Sequence, residues 1–225
     1  MSPLVLEAPP REPRRRADDR LPPSPPPGED GGDDGREPAP WRPRLDNTRL
    51  AMLFFLSAET MFFAGLISAF FVLRLSAAVW PPPLQPRLPV LVTGLNTLVL
   101  LASSVAMIAA LRAVRRADGR ALVERLAATA ALGVLFLAVQ GYEWAQLIHY
   151  GLTARSGAYG ATFYTLIGFH AAHVLGALVW LGVTLGLAAR GRFVDGQVSG
   201  LRACATYWHY VVALWPILYV TVYLL

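Results

Sequence analysis

LAMLFFLSAETMFFAGLISAFFVL, residues 50–73, carries one charged side chain in its whole length, Glu59. A helix rises about 1.5 Å per residue, so about 20 residues cross the hydrocarbon core of a bilayer. The stretch is long enough, and it is apolar on every face, unlike the one-sided helices that cover a soluble core. Four further runs have the same character. Residues 88–111 contain no charge, 126–148 contain only Glu143, and 163–189 and 203–225 contain none. The pattern predicts an all-α, polytopic membrane bundle of five transmembrane helices, at about 50–73, 88–111, 126–148, 160–189 and 203–225, preceded by a disordered N-terminal tail.

Composition agrees. The chain is 55% hydrophobic, above the roughly 45–50% of soluble domains. Residues 1–48 differ sharply, holding 12 of the 18 prolines and 10 of the 15 acids. Such a segment buries too little apolar surface to offset chain ordering, so it is expected to be a disordered cytoplasmic tail. The division is therefore 1–48 tail and 49–225 bundle. No apolar stretch follows the tail's first arginines, so it does not read as a signal peptide.

All 20 basic residues are arginine, and the formal net charge is +5. The arginines cluster at helix ends rather than on one surface, which argues against nucleic acid as a partner. They also orient the bundle. Arg36, Arg42, Arg44, Arg49, Arg112, Arg115, Arg116, Arg120, Arg125, Arg190, Arg192 and Arg202 fall on one side, against Arg74, Arg87 and Arg155 on the other. This bias predicts a cytoplasmic N-terminus and a C-terminus outside. The Trp80-Pro-Pro-Pro turn falls on the outer side. A single cysteine, Cys204, excludes an internal disulfide framework.

Ionisable groups at membrane depth are costly and are functional candidates by default. Glu59 lies about ten residues into the first helix, with Phe62, Phe63 and Leu66 on its own face. A neutral carboxyl there either clips two helices together or exchanges a proton. Glu143, in Gln140-Gly-Tyr-Glu-Trp, lies nearer the outer end, where a histidine partner is expected. His170 and His173 are three apart and share a side of the fourth helix, and His209 opens the fifth. Gly168, Ala172, Gly176 and Ala177 offer close packing on the fourth helix. Two histidines and a glutamate are few ligands for a metal, and neither cysteine nor methionine pairs complete a haem or copper site. No catalytic residue and no metal site are assigned. Nothing matches a nucleotide loop or a nucleophile triad.

These motifs together resemble subunit III of the haem–copper oxidases, of the cytochrome c oxidase type, in its five-helix form. The resemblance rests on Ser57-Ala-Glu59-Thr-Met-Phe62-Phe63, with one residue inserted between serine and glutamate. It continues through Trp80-Pro81-Pro82, Leu95-Asn96-Thr97 and Gln140-Gly-Tyr-Glu143-Trp144. Gly157-Ala-Tyr159-Gly160-Ala-Thr-Phe163, Gly168-Phe169-His170-Ala-Ala-His173 and Tyr207-Trp208-His209-Tyr-Val complete it. Six such blocks in order, the two fourth-helix stretches forming one, cover about residues 49–220.

The resemblance implies a non-catalytic subunit of a proton-pumping terminal oxidase in a bacterial plasma membrane. Such a subunit binds no haem or copper itself, since these reside in partner subunits. It contacts oxidase subunit I directly, joins subunits II and IV, holds phospholipid, sustains proton uptake and protects the enzyme during turnover. Glu59 and Glu143 become the proton- or lipid-linked candidates, and Asn96, His170, His173, Trp208 and His209 the interhelical polar contacts. Longer family members have two helices before the glutamate-bearing one, so their lipid-filled cleft is either lacking here or completed by another chain. Val212 stands where the family commonly has aspartate. A quinol oxidase third subunit, a nitric oxide reductase accessory protein and a free-standing transporter are the alternatives.

Overall fold

The computed structural model describes residues 47–83, 88–193 and 198–225. The tail expected over 1–48 lies almost wholly outside the described residues. Five helices form: α1 Asn47–Ser76, α2 Val90–Arg115, α3 Gly119–His149, α4 Ala158–Ala189 and α5 Ser199–Tyr219. All five are long and apolar enough to cross a membrane. Among the described residues there is no strand.

Each helix overruns its apolar run at one or both ends. The start of α3 shows how. Asp118 Oδ1 accepts from the Ala121 amide at 2.9 Å, capping the first turn. Arg120 Nε then meets Glu124 Oε1 at 3.0 Å across that turn on an exposed face. The preceding α2 ends in a Schellman motif: the Asp118 amide bonds to the Ala113 carbonyl and Ala117 to Val114. Ala117 therefore takes φ 53, where glycine is the usual occupant. The ends of α3 and α4 use the same motif with Gly151 (φ 91) and Gly191 (φ 72).

The helices run alternately up and down. The start of α1, the end of α2 and the start of α5 meet at one end of the bundle. At the other, Thr93, Glu143 and Tyr223 bring together the start of α2, the end of α3 and the end of α5. The α2 and α3 pair packs most extensively, and α5 touches α1, α2 and α4. Consequently α5 is the most buried helix and α1 the least. Trp208, Trp215, Phe136 and Phe163 fill the centre. α1 contributes only Phe63 and Phe70 as fully buried side chains and lies against α4 and α5.

Pro216 stands inside α5. It cannot donate to the carbonyl four residues back, and past it the chain widens into a π turn, Val220–Leu224. The wider turn buries Thr221, Val222 and Tyr223 in succession, which a regular helix with one inward face does not do.

Candidate functional site

The buried polar groups form two constellations. The first joins α1 to α4. His173 Nε2 lies 2.8 Å from Glu59 Oε2, both side chains being about four-fifths shielded. The contact is at ion-pair distance but out of line with the direction a hydrogen bond requires. His173 Nδ1 is 2.6 Å from the Phe169 carbonyl, an acceptor only, so Nδ1 carries the proton. The Glu59 carboxyl and the His173 imidazole thus meet at the contact between α1 and α4. Phe63 sets its edge to the imidazole at 5.1 Å, and Phe62 leans over it at 6.3 Å. The apolar face read around Glu59 is thus the wall of its partner's pocket. Next to it, Thr60 Oγ1 and Tyr210 Oη, 3.3 Å apart, link α1 to α5.

The second constellation is deeper. Glu143 is 4% exposed. Its Oε2 accepts from Thr93 Oγ1 at 2.8 Å and from Gln140 Nε2 at 3.1 Å. Gln140 Nε2 also reaches Tyr223 Oη at 3.2 Å, a contact made possible by the π turn that carries Tyr223 inward. The sequence places a histidine beside Glu143, and the structure corrects this: its partners are a hydroxyl and an amide, and the carboxylate with a histidine partner is Glu59. The reason is lateral. His149 ends α3 on the rim, packed against Tyr150, while His173 faces α1.

His170 and His173 also part company. Three residues turn a helix by about 300°, leaving the two side chains about 60° apart. That offset is enough to place them against different neighbours. His170 is fully buried, stacks on Trp215 at 4.9 Å and meets the edge of Phe136. Neither of its ring nitrogens has a hydrogen-bond partner among the described residues. Its link to α5 is made through ring faces.

A polar seam along α2 ties the remaining helices. Asn96 Nδ2 donates to the Phe136 carbonyl at 3.1 Å, Trp215 Nε1 to Thr97 Oγ1 at 2.9 Å, and Trp208 Nε1 to Ser103 Oγ at 3.1 Å. Ser104 Oγ pairs with His209 Nδ1 at 2.5 Å. Thr93, Trp215 and Tyr223 make buried polar contacts that sequence reasoning did not single out, and Thr97 and Ser103 have partners it did not assign. The signal was present in the spacing of Thr93, Asn96, Thr97, Leu100, Ser103 and Met107, a buried stripe at helical period with four polar members. Among the described residues, no three His, Cys, Asp or Glu side chains converge as a metal site requires. Of the four small residues on α4, Ala177 is buried, whereas Ala172 and Gly176 face outward.

Residues 44–225 match the family described as cytochrome c oxidase subunit III. The chain belongs to that family. It is 36% identical over 181 residues to cytochrome c oxidase subunit 3 of Synechocystis sp., covering 80% of this chain and 76% of that protein. It is 37% identical over 175 residues to a probable cytochrome c oxidase subunit 3 of Nocardia farcinica, covering 76% and 84%. The pig protein, Sus scrofa cytochrome c oxidase subunit 3, is 34% identical over 181 residues, covering 78% and 68%.

The blocks quoted from the sequence of this subunit III family member acquire physical jobs. Trp80, after α1, turns back edge-on to Phe70 and to Tyr159 of α4 at 5.7 and 5.1 Å. Gly160 lies so close under the Thr153 carbonyl that any Cβ would collide with it, and Gly157 enters α4 at φ 102. Trp208 lies across Gly133, where a Cβ would come within 2.5 Å of its ring. Gly133 is thus a packing surface for Trp208, and Gly160 lets α4 pass under the Thr153 carbonyl.

Proposed function

We propose that this chain is the non-catalytic subunit III of a cytochrome c oxidase, a multi-pass membrane component that supports a dioxygen-reducing, proton-translocating partner. The observation that carries it is the family match across the whole helical bundle, residues 44–225. The geometry is in keeping with support: buried Thr93, Asn96, Thr97 and Ser103 join α2 to its neighbouring helices. In this reading haem and copper reside in the partner subunits, with subunit I in direct contact and subunits II and IV completing the assembly. Phospholipid occupies grooves of the bundle. The arginine bias places the N-terminus in the cytoplasm. Glu59 serves as the group that links the bundle to proton uptake or lipid, because it is an ionisable carboxyl set beside the His173 imidazole within an apolar helix. Glu143, enclosed on all sides, serves packing between α2, α3 and α5.

Affinity purification of the full chain from its own membranes in mild detergent tests the proposal. Haem absorption with copper and cytochrome c oxidase activity is the expected result. A haem b complex reducing nitric oxide would reassign the chain to the accessory protein, and a colourless homo-oligomer to a transporter. Glu59→Gln is expected to assemble yet lose activity faster during turnover. Unchanged pumping and unchanged turnover lifetime would leave Glu59 with packing alone.

A further inference from the structure

A cavity of about 740 Å³ opens between the start of α1, the end of α2 and the start of α5. Arg49, Arg115 and Arg202 stand at it, one from each helix and all exposed. Each lies in the first or last turn of its helix, so the three guanidinium groups sit at the level where a bilayer's headgroups begin. Among the described residues no carboxylate lines this cavity, and none lies within ion-pair distance of the three arginines. The adjoining hollow against α3 and α4 shares Arg115 and Arg202 and adds Asp118 and Glu124, the latter already bound to Arg120.

Two further features point the same way. α5 has no side-chain cap on its first turn, so its free amides and positive helix end open at the cavity beside Ser199. Below the arginines the walls become apolar through Met52, Leu56 and Leu111. His209 lies seven residues beyond Arg202, about 10 Å deeper, and there it is held by Ser104. The hollow is thus positive at the headgroup level and apolar beneath it.

We infer that this groove between α1, α2 and α5 binds one anionic phospholipid, its phosphate held by Arg49, Arg115 and Arg202 and an acyl chain lying along Met52, Leu56 and Leu111. A zwitterionic lipid places a cation among the three guanidinium groups and is disfavoured. The inference rests on the proposed lipid-holding role and gives it a place. It opens at the Arg49 end of α1, with Met52 about 10 Å along the helix from Glu59.

The test uses the purified oxidase complex containing the full chain, exchanged into nanodiscs of phosphatidylcholine with a minor fraction of phosphatidylglycerol, then washed in detergent. Lipid retained per haem is counted by mass spectrometry. The wild type is expected to retain phosphatidylglycerol above its fraction in the disc. Arg49→Gln and Arg202→Gln should each lower that retention about five-fold, and together about 25-fold, whereas Arg202→Lys keeps most of it. Retention unchanged in the double variant, with haem content intact, would overturn the site. So would cross-linking of a Met52→Cys variant to another subunit, since a protein chain would then fill the groove. Absence of haem from the preparation would instead count against the subunit III assignment, and phosphatidylglycerol retention per chain would still decide the lipid site.

Discussion

His173 Nε2 on α4 stands 2.8 Å from Glu59 Oε2 on α1, and this contact joins the least buried helix to the rest of the bundle. With only Phe63 and Phe70 fully buried, α1 has little else to fix its rotation and depth. Lipid is as apolar as its leucines, so an interhelical polar contact and close packing must select its position.

Removing either partner should therefore loosen α1. Glu59→Ala and His173→Ala are each expected to lower stability in detergent by about 1 kcal/mol. The double variant should lose no more than the worse single one, because both remove the same contact. Fully additive losses in thermal melts would show that the two residues act separately.

Glu143 should behave differently. In Glu143→Gln the amide oxygen still accepts from Thr93 and Gln140, so folding yield and melting should stay near those of the parent. Glu143→Ala strands the Thr93 hydroxyl and the Gln140 amide in a buried space and should cost about 1–3 kcal/mol. Equal losses for the two variants would mean that the carboxylate charge, not the hydrogen bonds, is what matters.

Gly133 and Gly176 separate packing from propensity. A Cβ at Gly133 would lie 2.5 Å from Trp208 Cη2 and 2.9 Å from Leu178 Cδ2, whereas at Gly176 it meets nothing within 4 Å. Gly133→Ala should cost about 1–3 kcal/mol and shift the tryptophan fluorescence. Gly176→Ala should be neutral or stabilising by up to about 1 kcal/mol. A neutral Gly133→Ala would show that Trp208 does not lie across α3.

Ala117 offers a gain. It holds φ 53 in the turn between α2 and α3, a conformation costing an L-residue about 1–2 kcal/mol. Ala117→Gly should raise the melting midpoint, offset in part by glycine's greater freedom in the unfolded chain. A lowered midpoint would mean that the left-handed turn is not formed.

The sequence alone determined the number of helices, their approximate spans and the membrane setting. The bilayer imposes this locally: each segment must satisfy its own backbone within one helix, so 20-odd apolar residues declare a span without reference to any other part of the chain. Family motifs were legible for the same reason, as local strings. The extra turn at the start of α3 was not, since the Asp118 cap extends the helix beyond its apolar run. Tertiary structure alone decided the partners. Glu59 rather than Glu143 takes the histidine, His170 and His173 diverge to different helices, and the π turn after Pro216 delivers Tyr223 to Gln140. Those outcomes depend on which helices lie side by side and on rotations of about 60°. Periodicity puts a side chain on a face, but only packing against a neighbour says what that face meets.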